Sequence, residues 1–83
     1  MIVYFENSRE EREYIGESKV ESVRDILIHN HMEEHNIHPY YLRYLVEESG
    51  EIYIDYGSHS SFYVLVPQSD DENIETLLKI TNE

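Results

Sequence analysis

Four of the five histidines fall within ten residues, at His29, His31, His35 and His38. Neutral imidazole nitrogens are good ligands for zinc or nickel. His31 and His35 are four residues apart, so on a helix they share one face and could hold one ion together. His38 or Glu34 is the candidate third ligand. Hydrolysis by a metal-bound water would need a general base directly after the first histidine. Met32 stands there, with Glu33 and Glu34 beyond it. His31 also falls near an apolar stripe, where an imidazole serves as a packing residue, while His29 points to solvent. A third reading is a pH switch, because the reference pKa of histidine lies near 6.5.

No other pattern gathers into a catalytic site. Carboxylates are everywhere, so no pair is diagnostic, and a glycosidase pair needs a cleft for which 83 residues leave little room. The spacing of a calcium loop is missing. Gly16, Gly50 and Gly57 are scattered and make no phosphate cradle. Ser58-His59-Ser60-Ser61 sets serine beside histidine, but without an orienter or an oxyanion hole it reads as a polar turn. There is no cysteine, hence no thiol chemistry. The expectation is a protein that is not an enzyme and carries no cofactor.

Charge is the strongest signal. Eighteen acidic residues against six basic ones give a formal net charge of −12. A small domain usually carries roughly 2 to 8 charges in magnitude, and a larger surplus destabilises the compact state through self-repulsion. Disorder is the usual explanation, but the chain is 40% hydrophobic, has eight tyrosines and shows clean periodic patterns. A folded acidic surface is suited to a basic protein partner. Nucleic acid and anionic lipid are excluded as direct partners by the same repulsion. The expected binding residues are Glu47, Glu48, Glu51 and Asp55 on a central hairpin, and Asp70, Asp71, Glu72 and Glu75 near the C-terminus, with Tyr53 and Tyr56 as aromatic anchors. A bland alternative is that tyrosine merely suits strands and that charge confers solubility.

These side chains need a scaffold, and the patterns predict one domain over residues 1–83. Ile2–Glu6 and Glu13–Gly16 read as a hairpin across the polar turn Asn7–Glu10. Ser18 and Glu21 form a capping box ahead of a helix from about Lys19 to His35. Val20, Val23, Ile26 and Leu27 supply its apolar side, and Pro39 enforces its end. Tyr40–Glu48 and Glu51–Tyr56 alternate with period two about a two-residue Ser49-Gly50 turn. Ser61–Val66 adds a strand, and Ser69 caps a short acidic helix with Ile74, Leu77, Leu78 and Ile80 as its stripe. The order β-β-α-β-β-β-α predicts a two-layer α+β domain with a mainly antiparallel sheet. No apolar run reaches membrane-spanning length, and Met1–Glu6 lacks the basic start of a secretion signal. The expected location is the cytoplasm.

Val3-Tyr4-Phe5-Glu6-Asn7-Ser8-Arg9, Ile15-Gly16-Glu17, Tyr40-Tyr41 and Asp55-Tyr56-Gly57-Ser58-His59-Ser60-Ser61-Phe62 together resemble small proteins of phages and prophages of Gram-positive bacteria. The resemblance covers about the first three quarters of the chain and leaves out the acidic tail from Ser69. It implies a bacterial host cell and no catalytic residue. Small acidic phage proteins often inhibit nucleic-acid machinery, as anti-restriction and anti-CRISPR proteins that mimic DNA do. The first expectation is therefore a non-enzymatic inhibitor seated on a basic nucleic-acid-binding surface of a host or defence protein. A phage assembly module acting through a homodimer is the alternative, and a histidine metal site is the third.

Overall fold

The computed structural model describes residues 1–58, 60–69, 72 and 75. Five strands form one antiparallel sheet: β1 (Ile2–Glu6), β2 (Arg12–Glu17), β3 (Arg43–Val46), β4 (Ile52–Asp55) and β5 (Phe62–Val66). Their spatial order is β2-β1-β5-β4-β3. The first hairpin, whose place in the sheet its own residues do not reveal, joins the meander through pairing of β1 with β5. One helical segment, α1 (residues 20–34), packs on one face. Among the described residues the domain is therefore α+β, with a five-stranded antiparallel sheet and the one helical segment of residues 20–34. The expected second helix lies largely outside the described residues.

Strand alternation sorts the side chains. Val3, Phe5, Ile52, Ile54, Tyr63 and Leu65 face α1 and build the core with Val20, Val23, Ile28 and Met32. Tyr4, Glu6, Arg12, Tyr14, Tyr53, Phe62 and Val64 take the open face. Both tight hairpins use three-residue loops. Glu47 N–H donates to Glu51 O at 2.9 Å and Gly50 N–H to Glu47 O at 2.9 Å, with Gly50 at φ 92°. The loop is thus a turn followed by a left-handed residue, one residue longer than the Ser49-Gly50 turn that the sequence suggests. The first hairpin repeats this form, with Asn7 N–H donating to Glu11 O and Glu10 at φ 62°.

The helix departs from expectation at its start and in its phase. Lys19 is the N-cap residue and no side chain caps the end. The Ser18 hydroxyl donates to Lys19 O, so the expected capping box does not form. A turn of α-helix (Val20–Ser22) leads into a π-helix (Val23–Ile28) and then an α-helix (His29–Glu34). The π-stretch bonds i to i+5 and so inserts one residue into the face. Ile28 takes the core place that strict α-periodicity assigns nearer Leu27, and Ile26 is left 56% exposed. Beyond the insertion the inward residues are His31 and Met32. The C-terminus closes as a Schellman motif: Ile37 N–H donates to Met32 O at 2.8 Å, Asn36 N–H to Glu33 O, and Asn36 adopts φ 54°. The chain leaves the helix before Pro39, as expected.

Candidate functional site

The histidine cluster is resolved by the phase of α1. His31 is buried, and its Nδ1 shares a 2.8 Å hydrogen bond with the Tyr63 hydroxyl. Its ring lies against His35, with centroids 4.3 Å apart, and edge-on to Tyr63 at 5.4 Å. Its Nε2 is buried without a partner. His29 is exposed and pairs with Glu33 at 3.0 Å. His38 follows the C-terminal motif of the helix. Among the described residues, no three histidine or carboxylate side chains are grouped to hold a metal ion. His31 and His35 therefore adjoin but no third candidate joins them in a set of three among the described residues, and His31 is buried as a packing residue.

A cleft of about 360 Å³ lies between β2 and α1 and is lined by Glu13, Glu34, His31 and His35 among others. Burial pushes the His31 pKa below its ordinary value, and His35 adds to this, while Glu13 and Glu34 oppose it. A histidine whose folded pKa is depressed contributes stability that is present above its unfolded pKa near 6.5 and lost as pH falls toward the folded value. The melting temperature is expected to fall between pH 7.5 and 5.5, and the slope to shrink in His31→Gln. A flat melting temperature across that range would remove any switch role for this group.

The carboxylates separate into engaged and free groups. Arg12 on β2 donates from Nε to Glu6 at 3.0 Å, and from Nη1 and Nη2 to Glu51 at 2.8 and 3.2 Å. Its Nη2 also donates to the Tyr53 hydroxyl at 2.9 Å. This link from β2 to the start of β4 reaches across two intervening strands, β1 and β5. The Arg12 hydrogen bonds hold the Glu51 carboxyl below its ordinary range, with burial opposing. Asp55 is buried, accepts from Arg43 at 3.0 Å and accepts from Gly57 N–H at 3.0 Å. Burial pushes the Glu72 carboxyl up, but the N-terminal ammonium at 2.5 Å and Gln68 N–H outweigh it and hold the group below its ordinary range.

The expected binding residues therefore differ in availability. Glu47 and Glu48 are exposed on the β3–β4 loop and make no ion pair among the described residues. Glu51 and Asp55 are tied to arginines. Tyr53 sits on the open face, within the Arg12 network. Tyr56 is buried against Tyr63 with centroids 5.5 Å apart. It is not a surface anchor, because its parity with Ile52 and Ile54 turns it inward. Asp70 and Asp71 lie outside the described residues, and Glu75 is exposed. Register places the β3–β4 loop at the end of the sheet where β1 starts and β5 finishes. Glu72 meets Met1 at that same end. Glu10 and Glu11 occupy the β1–β2 loop at the other end of β1, while Glu17 closes β2 opposite Ile2, at the Met1 end.

No family model, curated protein or solved structure matches this chain. Function must be read from its surfaces. Sequence reasoning missed one of them: an exposed apolar run on the β3 edge and the segment before it. Tyr40, Tyr41, Leu42, Leu45 and Val46 are all exposed there. The signal was present in the composition of Tyr40–Val46, but exposure depends on β3 being the sheet's edge, which periodicity alone does not reveal. No helix among the described residues is long and apolar enough to cross a membrane.

Proposed function

We propose that this chain is a non-enzymatic binding protein of phage type that occupies a basic nucleic-acid-binding surface of a host or defence protein, in the manner of a DNA mimic. The observation that carries the reading is the free acidic surface. Glu10, Glu11, Glu13, Glu17, Glu21, Glu34, Glu47 and Glu48 are exposed and make no ion pair among the described residues. Carboxylates held clear of internal partners keep their full attraction for a basic groove, steer association and make it sensitive to salt. Glu47 and Glu48 lead this surface because a rigid hairpin presents them.

The test is recovery of tagged protein with its partner from a bacterial lysate at low salt, followed by a salt gradient and mass spectrometry. The expected partner is a nucleic-acid-binding protein that added DNA displaces. Replacing both Glu47 and Glu48 by Lys reverses charge without touching the internal ion pairs. It should weaken capture at least roughly tenfold and leave the melting temperature nearly unchanged. Undiminished capture would sink the reading. The exposed β3 edge supports a second reading, an assembly module acting through a homodimer.

A further inference from the structure

The two edges of the sheet are guarded differently. The β2 edge carries Arg12, Glu13 and Glu17 and a register shift at Ile15, where Val3 faces Gly16 but Tyr4 faces Tyr14. Charges and bulges of this kind discourage pairing with another chain. The β3 edge has no bulge, no lysine and no proline within Arg43–Val46. Leu45 on the open face and Val46 on the helix face are 41% and 54% exposed. Among the described residues, its shortness and Arg43 are what protect it.

Its backbone is also directed outward in a definite pattern. Glu47 N–H turns toward β4 to reach Glu51. Alternation then turns Leu45 and Arg43 toward β4 as well, and leaves the N–H and C=O groups of Tyr44 and Val46 facing away from the sheet. From this edge we infer a homodimer interface: two copies of β3 pair antiparallel about a two-fold axis at Leu45 and join their five-stranded sheets into one. The inference rests on the assembly reading and is independent of the DNA-mimic reading.

The register is chosen by chemistry. With the axis at Leu45, Tyr44 of each copy lies opposite Val46 of the other, and each such pair exchanges two backbone hydrogen bonds through the outward groups. Aromatic and β-branched residues are favourable cross-strand neighbours. Leu45 lies opposite its own copy as a close, non-hydrogen-bonded pair. Arg43 of each copy lies opposite Glu47 of the other, so two opposite-charge pairs close the strand. Shifting the axis to Tyr44 would set Arg43 opposite Leu45, and shifting it to Val46 would set Glu47 opposite Leu45, so either shift breaks the charge pairing. Two copies each bearing −12 repel overall, and salt screens that repulsion over a Debye length of about 10 Å at 0.1 M. Dimerisation should therefore strengthen with salt, opposite to capture by a basic partner.

Sedimentation equilibrium of the full chain at low and high salt reads this directly. The expected result is a species of twice the 10.0 kDa monomer mass that gains population with salt. Val46→Pro removes an outward N–H that the β3–β4 ladder does not use, and should give a folded monomer. Glu47→Arg should weaken the dimer roughly tenfold, because each Arg43 then faces an arginine of the other copy. The chain has no cysteine, so Leu45→Cys should oxidise to a covalent dimer faster than Val46→Cys, whose copies are not opposed. A monomer under all conditions would overturn both the interface and the assembly reading. A dimer that survives Val46→Pro and does not crosslink through position 45 would overturn this interface while leaving assembly through another surface.

Discussion

Tyr63→Ala is expected to cost about 3–5 kcal/mol, a large share of the stability of a domain this size. Tyr63 is fully buried at the centre of β5. Its ring contacts Phe5 at 5.1 Å and Tyr56 at 5.5 Å, and His31 meets it edge-on. It thus joins three strands to the helix. Folded domains hold about 0.05–0.15 kcal/mol per residue, which for 83 residues is about 4–12 kcal/mol in total. The variant should lose at least about 12 °C of melting temperature. Tyr63→Phe separates the two roles of the side chain. The ring stays, but His31 Nδ1 loses its partner and Nε2 already lacks one, a penalty of about 1–3 kcal/mol. Thermal melts of both variants by circular dichroism check the order. A native-like melt for Tyr63→Ala would contradict the described core.

Arg12→Met is the second large effect, expected at about 2–3 kcal/mol at neutral pH. The guanidinium is partly exposed, so its full strength as a buried ion is not realised. Glu6, however, is buried and its only charged partner among the described residues is Arg12. Removing Arg12 also frees Glu51 and the Tyr53 hydroxyl. The pH dependence gives a second readout. Arg12 depresses the Glu51 carboxyl, so this contribution is present above the ordinary carboxyl range and is lost as pH falls through the lower folded value. Urea unfolding at pH 7 and near pH 3 should therefore show a large gap between wild type and variant at neutral pH and a smaller one in acid. An equal gap at both would mean that Arg12 acts by packing its stem alone.

Much of the fold was legible because period-two alternation is a local signal. It located all five strands within a few residues and separated Ile52, Ile54 and Tyr56 from Tyr53 and Asp55. The same alternation already argued against Tyr56 as a surface anchor, since it shares the inward face. Strand order was not legible, because β1 meets β5 across some sixty residues and neither strand's own pattern names its neighbour. The engagement of Glu51 followed from that order, since only the folded sheet brings Arg12 to it, whereas Asp55 pairs with Arg43 across the β3–β4 hairpin itself. His31 was legible as a packing residue, but its bond to Tyr63 was not, because it depends on the phase of the helix behind it.

That phase has a consequence for how this chain should be compared with others. The π-helical stretch of Val23–Ile28 holds one residue more in its turn than an α-helix would, the geometry that a single inserted residue produces. A relative without the insertion would run as plain α-helix and present the same inward side chains from positions one earlier in its numbering. Correct alignment then needs a one-residue gap in the middle of the helix, where gap penalties ordinarily forbid one. Without that gap, His31 would be matched to a solvent-facing neighbour and the histidine–tyrosine bond would look like a private feature of this chain.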